Sequence, residues 1–584
     1  MKEFPFERKI TMNISLKKLV PVAASVTERK QMIRPKKQLN VRNDTSIKGV
    51  ENEASSHEVV PFVTHLGWSL ARLMVFFSAY VMSSVSGLSM VTWTRPTNSI
   101  TAGPMWLMQD GTVLGCTDGQ TLKFLHPDSR GSYANGTWSD AGKLLLARDN
   151  FASAVLPDGR LVVCGGEQSG PGLPTNDTKR CEIYDPIKKS STEFQPPTGW
   201  DSIGDSPSVV LTDGTFMLGR NPLWVSQVAL LDAVTLTWTF GGGDLPYVEQ
   251  GYVLLQTGNV LTVSTTDKTS KRYDPSLKKF VQDANLPVML GDSSEEIGPG
   301  ITMMDGRVIW FGATGHTCIY IPGPVGQNGN WTQGPDLPTM ADGTQLVCTD
   351  TSAILEPNGK VFLVAWSGTK GVVFLEYDPG RNQFTVVQNA PFTTNREAAK
   401  MLLLPNGHGL VWVAEPTNAL YDLAFDSGAQ ASWAPKITSF PSRAEESQTV
   451  TLTGTQLCGL SECQHFGDDN QQAENYPMVR FIDSGGSVTY ARAHDVSTRS
   501  IAPGQSGTVL VDIPSFYYLP PGRYSVQVVA MGIPSNPVFV VIGDPCAEIR
   551  AQLDALSPGD FQSLKAYLRA LRYFEAQLKA CERE

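Results

Sequence analysis

The stretch "ARDNFASAVLPDGRLVVCGG", residues 147–166, shows the pattern that decides the fold. Two short apolar runs flank the pair Asp158-Gly159, and such a pair readily adopts the positive φ angles that a tight hairpin turn needs. Apolar runs of this length between turn residues are typical of β-strands. The stretch therefore predicts two antiparallel strands joined by a tight turn.

The same strand-turn-strand pattern recurs through most of the chain. A turn pair ends an apolar run at Asp110-Gly111, Asp158-Gly159, Asp213-Gly214, Thr257-Gly258, Asp305-Gly306, Asn358-Gly359 and Asn406-Gly407. Successive pairs are separated by 48, 55, 44, 48, 53 and 48 residues. Several units continue with a third strand that ends in Tyr-Asp-Pro and a fourth that carries a bulky aromatic residue. Four antiparallel strands repeated at this period are typical of a propeller blade, so we predict an all-β protein with a seven-bladed β-propeller over residues 90–435.

The ends of the predicted propeller also carry information. The stretch "MVTWTRP", residues 90–96, is a strand that precedes the first complete unit. We predict that it pairs with the last blade, because closing the ring in this way removes exposed strand edges.

A different pattern begins at residue 436. Alternating strands over residues 436–543 predict an immunoglobulin-like β-sandwich. Residues 544–584 form a predicted helical tail, since their apolar positions step by three or four residues. These positions are Phe561, Leu564, Leu568, Leu571, Phe574 and Leu578. Two roles stay open for this amphipathic face, namely docking onto the protein's own β domains and self-association.

The N-terminal part differs in charge from the rest. Residues 1–50 carry twelve Lys or Arg against four acidic residues, and we predict a disordered extension over residues 1–65. In residues 66–89 an arginine precedes an apolar run and small residues follow it, as in a secretory signal. The run is short for a membrane span, which needs about 20 residues. The pattern predicts a secreted or cell-surface protein, with a membrane partner only if residues 66–89 act as an uncleaved anchor.

Charge and cysteine content restrict the partners and the covalent structure. The net charge of -10 argues against a nucleic-acid partner, because that affinity depends on neutralising phosphates with Lys and Arg. Nine cysteines leave at least one thiol unpaired if the others form disulfides. We predict that Cys164 meets Cys181 on a neighbouring strand and that Cys458 and Cys463 staple a loop. The alternative for each pair is two buried free thiols.

Several stretches together resemble a known family. These are "ARDNFASAVLPDGRLVVCGG", "SSEEIGPGITMMDGRVIWFGATGHTCIY" and "LLLPNG" in the repeat region, and "GDDNQQAENYPMVRF" and "YARAHDVS" beyond it. They are similar to the galactose oxidase and glyoxal oxidase-like kelch-repeat proteins with an early-set, immunoglobulin-like C-terminal domain. The resemblance covers roughly residues 90–543. It implies a kelch-type propeller followed by that sandwich, but one propeller fold hosts many activities.

The resemblance also implies a cofactor, for which this chain lacks most ligands. Oxidases of the family hold one copper ion with two Tyr and two His side chains. Alignment with the family places Asn150 at the position of one Tyr, and Glu397 and Ala398 at the positions of the other Tyr and the first His. Only His494 matches a family ligand. Copper is therefore the family expectation, but we predict no cofactor and assign no metal site.

Polar residues recur at the predicted start of the innermost strands. Eight residues before four of the turn pairs the chain has Asn150, Asp205, Glu249 and Asp350, and nine before two others it has Glu296 and Glu397. We expect them to form an acidic rim at the axial mouth of the propeller, with His494 reaching in from the C-terminal domain. Such a rim focuses a negative potential and offers hydrogen-bond partners to sugar hydroxyls. The alternative is that these residues cap strands and hydrogen-bond neighbouring blades.

The sequence favours a binding function over an enzymatic one. We predict an exported protein that has lost the copper-radical site and binds a carbohydrate or other extracellular polymer at the axial mouth. Three alternatives stay open: a copper-dependent oxidase with unusual ligands, a non-redox enzyme that uses the axial carboxylates, and a purely adhesive surface protein. No catalytic residue is assigned.

Overall fold

The computed structural model describes most of the chain between residues 91 and 582. The described residues are 91–98, 100, 103–167, 177–204, 206–220, 227–243, 250–292, 297–324, 326–394, 399–413, 419–426, 428–466 and 475–582. They belong to one compact unit, Phe77–Glu584. The predictions for residues 1–65 and 66–89 lie outside the described residues.

Seven antiparallel sheets follow one another along the chain, each built like a propeller blade. After β1 (Thr92–Thr94), blade 1 has β2 (Met105–Leu107), β3 (Val113–Cys116), β4 (Thr121–His126) and β5 (Thr137–Lys143). Blade 2 has β6 (Ala152–Val155), β7 (Leu161–Cys164), β8 (Cys181–Asp185) and β9 (Ser190–Phe194). Blade 3 has β10 (Ser208–Val210), β11 (Phe216–Gly219), β12 (Gln227–Asp232) and β13 (Thr237–Gly243).

The remaining blades repeat this arrangement. Blade 4 has β14 (Val253–Leu254), β15 (Val260–Val263), β16 (Ser270–Asp274) and β17 (Lys279–Gln282). Blade 5 has β18 (Gly300–Thr302), β19 (Val308–Phe311), β20 (Thr317–Ile321) and β21 (Asn330–Gln333). Blade 6 has β22 (Ser352–Leu355), β23 (Val361–Trp366), β24 (Val372–Asp378) and β25 (Gln383–Val386), and blade 7 has β26 (Ala399–Leu403), β27 (Gly409–Val413) and β28 (Ala419–Ala424). The predicted seven-bladed propeller is confirmed.

Strand β1 completes blade 7. It runs antiparallel to β28, with Trp93 opposite Leu423. The last blade therefore takes three strands from the end of the repeat region and one from its beginning. This confirms the predicted closure, which leaves no open edge between the first and last blades.

The turn pairs fold as their chemistry predicts. The backbone N–H of Arg160 donates to Asp158 Oδ1 at 3.0 Å, and Gly159 between them has φ +88. Asp110 and Asp213 make the same bond to the N–H two residues later, each at 3.0 Å. An Asp or Asn side chain thus holds its own turn while glycine takes the left-handed conformation.

Neighbouring blades pack through buried apolar residues and a few buried polar links. All residues of β6 and β7 are buried. Indole Nε1 of Trp106 donates to Ser153 Oγ at 3.0 Å and joins blade 1 to blade 2. The Trp331 indole makes the same kind of bond, also at 3.0 Å, to Ser270 Oγ between blades 5 and 4. Each large ring therefore buries apolar area while its one donor stays satisfied.

The region after the propeller forms a second β structure. Its strands are β29 (Lys436–Ser439), β30 (Arg443–Ala444), β31 (Thr449–Thr455), β32 (Gln464–Phe466), β33 (Met478–Ile482), β34 (Val488–His494), β35 (Ser506–Asp512), β36 (Gly522–Ala530), β37 (Ile533–Pro534) and β38 (Val538–Ile542). Strand β34 pairs with β33 along its first half and with β35 along its second half. It thereby links two groups of strands around an apolar core. The immunoglobulin-like assignment stays a prediction.

Two helices follow at the C-terminus. They are α1 (Ala547–Ala555) and α2 (Leu564–Cys581), and a disulfide joins Cys546 to Cys581. The helices pack against each other, but none of the residues in them is buried. Among the described residues, no helix has the length and apolar character to cross a membrane.

The cysteine predictions had mixed outcomes. Cys164 and Cys181 lie opposite each other on β7 and β8 and form the predicted disulfide. The predicted Cys458–Cys463 bridge is wrong, because both are buried free thiols whose Sγ atoms point to different backbone carbonyls. The Cys546–Cys581 bridge was not predicted.

Candidate functional site

The inner strands define two faces of the propeller. Each inner strand begins at one face of the propeller and ends at its Asp-Gly, Asn-Gly or Thr-Gly turn at the opposite face. We call the face where the inner strands begin the start face and the face that carries the turns the turn face. The C-terminal β structure contacts the turn face. Backbone N–H groups of Ala493 and Asp495 donate to the carbonyls of Gln109 and Pro157, at 3.0 and 2.8 Å, and both acceptors belong to turns.

The C-terminal region also fills the axial channel from the turn face. Strand β22 pairs with β23 on one edge and with β32 on the other, so blade 6 carries a fifth strand. Because β22 is the innermost strand of its blade, β32 lies inside the channel. Ile501 enters from a second loop and is fully buried against Val209 and Leu254 of neighbouring inner strands.

A buried charged group helps to hold these segments. The guanidinium of Arg499 lies 4.4 Å from the centre of the Tyr476 ring, and its Nη2 atom is 3.6 Å from Glu462 Oε1. The Arg499 side chain is completely buried. Glu462 Oε2 accepts a hydrogen bond from the N–H of Leu254 at 3.2 Å. The carboxylate therefore ties the C-terminal region to blade 4 as well as to its own arginine.

Two of the predicted rim residues lie at the start face. Asn150 and Asp350 each stand two residues before an inner strand, β6 and β22, and both are partly exposed. Their φ angles are 46 and 43 degrees. Asn and Asp tolerate this left-handed conformation better than other non-glycine residues. The shared backbone geometry places both residues at equivalent points of their blades.

Four predicted rim residues lie outside the described part of the chain. They are Asp205, Glu249, Glu296 and Glu397. The inner strands that follow them are described, namely β10, β14, β18 and β26. Their place on the rim stays a prediction.

The structure does not bring His494 to that rim. Its Nδ1 atom is 2.8 Å from Asp495 Oδ2, and its Nε2 atom is 3.2 Å from Asp512 Oδ1. Because Asp495 is bonded to Pro157, His494 lies at the turn face. Asn150 lies at the other end of β6, and the stretch from Asn150 to Pro157 spans roughly 20 Å at about 3.3 Å per residue. Pairing of β34 with β35 holds the imidazole on the C-terminal β structure.

Of the positions that the resemblance assigns to copper ligands, the structure describes Asn150 and His494. Within the described ranges, no group of three or more His, Cys, Asp or Glu side chains is arranged to hold a metal ion. Both nitrogens of His494 face carboxylates, and Asn150 stands where the resemblance requires a phenol.

One unusual carboxyl group, that of Glu356, is not among the residues predicted from the sequence. Two residues before the turn pair, six blades have an apolar residue, namely Met108, Leu156, Leu211, Leu255, Met303 and Leu404, whereas blade 6 has Glu356. Glu356 is fully buried, and its Oε1 atom has no hydrogen-bond partner among the described residues. Burial, with the nearby charge of Glu376, raises the pKa of Glu356 to about 8. The sequence signal for Glu356 is a polar residue at a repeat position that is apolar in the other six blades.

Comparisons with known proteins support no assignment beyond the fold. No family model matches the chain, and no curated protein matches it. Solved structures of similar fold include a fungal alcohol oxidase in complex with copper, with 14% identity, a TM-score of 0.45, and coverage of 79% of this chain and 100% of that one.

Two other similar structures have unrelated activities. Virginiamycin B lyase from Staphylococcus aureus shows 10% identity and a TM-score of 0.40, over 57% of this chain and 99% of that one. Hydrazine synthase from Kuenenia stuttgartiensis shows 15% identity and a TM-score of 0.39, over 57% and 97%. Likeness at this level says nothing about which activity this chain has.

Proposed function

We propose that this is an exported binding protein that holds a carbohydrate, or another extracellular polymer, at the start face of its propeller. One observation carries the proposal. The C-terminal region enters the axial channel from the turn face, and β32 pairs there with β22 from Ile354 to Ser352. A ligand on the propeller axis would then enter from the start face, to which Asn150 and Asp350 belong.

The chemistry of this face suits sugar hydroxyls. A hydroxyl both donates and accepts hydrogen bonds, and the Asn150 amide and the Asp350 carboxylate offer both kinds of partner. Both residues adjoin buried inner strands, which hold side chains more precisely than long loops do. The remaining rim residues of the sequence prediction would add acceptors around the same mouth.

Removal of both side chains should abolish most polymer binding. In the Asn150→Gly/Asp350→Gly variant, glycine keeps the positive φ without strain and removes the two polar side chains. Loss of two hydrogen bonds, each worth about 0.5–1.5 kcal/mol, predicts roughly 5-fold to 150-fold weaker binding. The measurement is retention of the protein on insoluble cellulose, chitin, β-glucan and mannan, followed by titration with the best binder.

A matched control keeps this test specific. Lys278→Gly removes an exposed side chain at φ 48 in a turn between the outer strands β16 and β17. It should bind like wild type. The proposed function would be contradicted if the Asn150→Gly/Asp350→Gly variant bound the polymer as tightly as wild type does, or if wild type bound none of the polymers.

We further propose that the chain holds no radical copper centre. After loading with copper and exhaustive dialysis, the protein should keep clearly less than one copper per chain, because His494 is engaged by Asp495 and Asp512. Metal analysis is the measurement. One retained copper per chain, together with hydrogen peroxide release from an alcohol or aldehyde, would instead favour an oxidase with unusual ligands.

A further inference from the structure

We propose that a groove on the turn face beside Trp433 is a second carbohydrate subsite. The inference takes its ligand class from the proposed function but does not depend on the axial mouth. The groove has a volume of about 440 Å³ and lies between the turns of blades 5 and 6. That volume falls within the roughly 300–1,000 Å³ of ligand pockets. Its polar and aromatic lining includes Asp305, Arg307, Asn358, Asp378, Gln430 and Trp433.

Hydrogen bonds hold the backbone of Trp433 beside the groove. Its backbone N–H donates to the carbonyl of Gln430 at 3.0 Å, and its own carbonyl accepts from Gln456 Nε2 at 2.8 Å. The ring lies over the turn glycine, where a Cβ at Gly359 would come within 2.8 Å of Trp433 Cη2. The indole is only partly buried and forms one wall of the groove. A flat, partly exposed aromatic ring can stack against the C–H face of a pyranose.

The charges in the groove are balanced. Asp305 and Asp378 contribute two negative charges, and Arg307 and Lys360 contribute two positive ones. Each of these charges has an opposite charge beside it: Arg307 Nε donates to Asp305 Oδ2 at 2.7 Å, Lys360 Nζ lies 2.9 Å from Glu376 Oε2, and Asp378 Oδ2 lies 3.7 Å from Arg381 Nε. A phosphate or a metal ion would meet no net countercharge here. A neutral sugar needs donors and acceptors side by side, which is what these paired groups supply.

The amide at the base of the groove is held from two sides. Asn358 Nδ2 donates to Glu356 Oε2 at 2.7 Å and to the carbonyl of Asp426 at 3.3 Å, while Asn358 Oδ1 accepts from the N–H of Lys360 at 2.8 Å. Glu356 replaces the apolar residue of the other blades, so this anchor exists in blade 6 only. An amide fixed in this way loses little further freedom when a ligand binds, which favours affinity.

Titration of the full-length protein with soluble hexasaccharides tests the subsite. Cellohexaose, chitohexaose, laminarihexaose and mannohexaose are the probes, and the affinity is measured by calorimetry. We expect Trp433→Ala to weaken binding of at least one probe by 10-fold or more. Gln430→Ala should weaken binding of the same probe several-fold. Because the Gln430 side chain is exposed, this variant should keep the melting temperature of wild type.

The outcomes separate this inference from the proposed function. Binding that is lost in Trp433→Ala and Gln430→Ala but kept in Asn150→Gly/Asp350→Gly supports the groove and refutes the mouth. Wild-type affinity in both groove variants, with loss in the mouth variant, overturns the groove and leaves the proposed function intact. Partial loss in every variant supports two subsites. Absence of binding to all four probes and to the insoluble polymers overturns both proposals.

Discussion

Replacing Glu182 by alanine is expected to destabilise the protein by about 3–5 kcal/mol. Glu182 Oε1 lies 2.6 Å from Arg148 Nη2, and each side chain is only 1% exposed. Glu182 Oε2 also accepts the N–H of Leu145 at 2.6 Å. Truncation therefore leaves a buried guanidinium without its countercharge and a backbone donor without its acceptor. The measurement is the shift in the free energy of unfolding by guanidinium chloride.

A neighbouring glutamate provides the control. Glu193 lies opposite Glu182 across β8 and β9, and it pairs with Arg180 at 2.8 Å with both side chains well exposed. Exposed ion pairs contribute about 0–1 kcal/mol, so Glu193→Ala should change little. Glu182→Gln keeps an acceptor for the N–H of Leu145, so its loss of unfolding free energy should lie between those of Glu182→Ala and Glu193→Ala. If Glu182→Ala lost no more stability than Glu193→Ala, the buried pair would not be holding blade 2 together.

The second large effect is a pH dependence caused by Glu356. Burial, then the charge of Glu376, raises the pKa of Glu356 to about 8, against an ordinary value of 4.5, while Asn358 and Lys360 act in the opposite direction. Between these two values the folded state binds a proton that the unfolded state has released. The free energy of unfolding should therefore fall as the pH rises from about 5 to 8, by up to about 1.4 kcal/mol per pH unit from this group.

Glu356→Gln should remove that slope. Glutamine is neutral at every pH, so the variant should lose less stability than wild type on going from pH 5 to pH 8. We expect it to be the more stable of the two at pH 8, by about 1–3 kcal/mol. Melting temperatures across this range are the measurement, and Glu575→Gln, on the exposed side of α2, is the control. An unchanged slope in Glu356→Gln would show that Glu356 is already ionised in the folded protein.

The propeller could be predicted because its signals are local. Each turn pair needs only its own Asp or Asn side chain and the following glycine, as the Asp158–Arg160 bond shows. The Cys164–Cys181 bridge followed from adjacent strands within one blade, and β1 from its place before the first unit. The helical tail likewise followed from the spacing of its apolar residues.

The prediction failed where distant segments meet. His494 matches a family ligand in sequence, but pairing of β34 with β35 and the bond from Asp495 to Pro157 hold it at the turn face. Cys458 and Cys463 are close in sequence, yet their thiols point to different carbonyls. In both cases the direction of a side chain depends on contacts with residues far along the chain.

The sequence by itself determined the all-β class, the seven blades and the chemistry of each turn, because these arise from short local patterns and their repetition along the chain. It also indicated the closing strand, because an extra strand precedes the first complete unit. Only the tertiary structure decided that β32 fills the channel beside β22 and that Trp433 lies over the turn of blade 6. It also decided that the carboxyl group of Glu356 is buried. These features depend on contacts between segments many residues apart, which no local pattern of polar and apolar residues encodes.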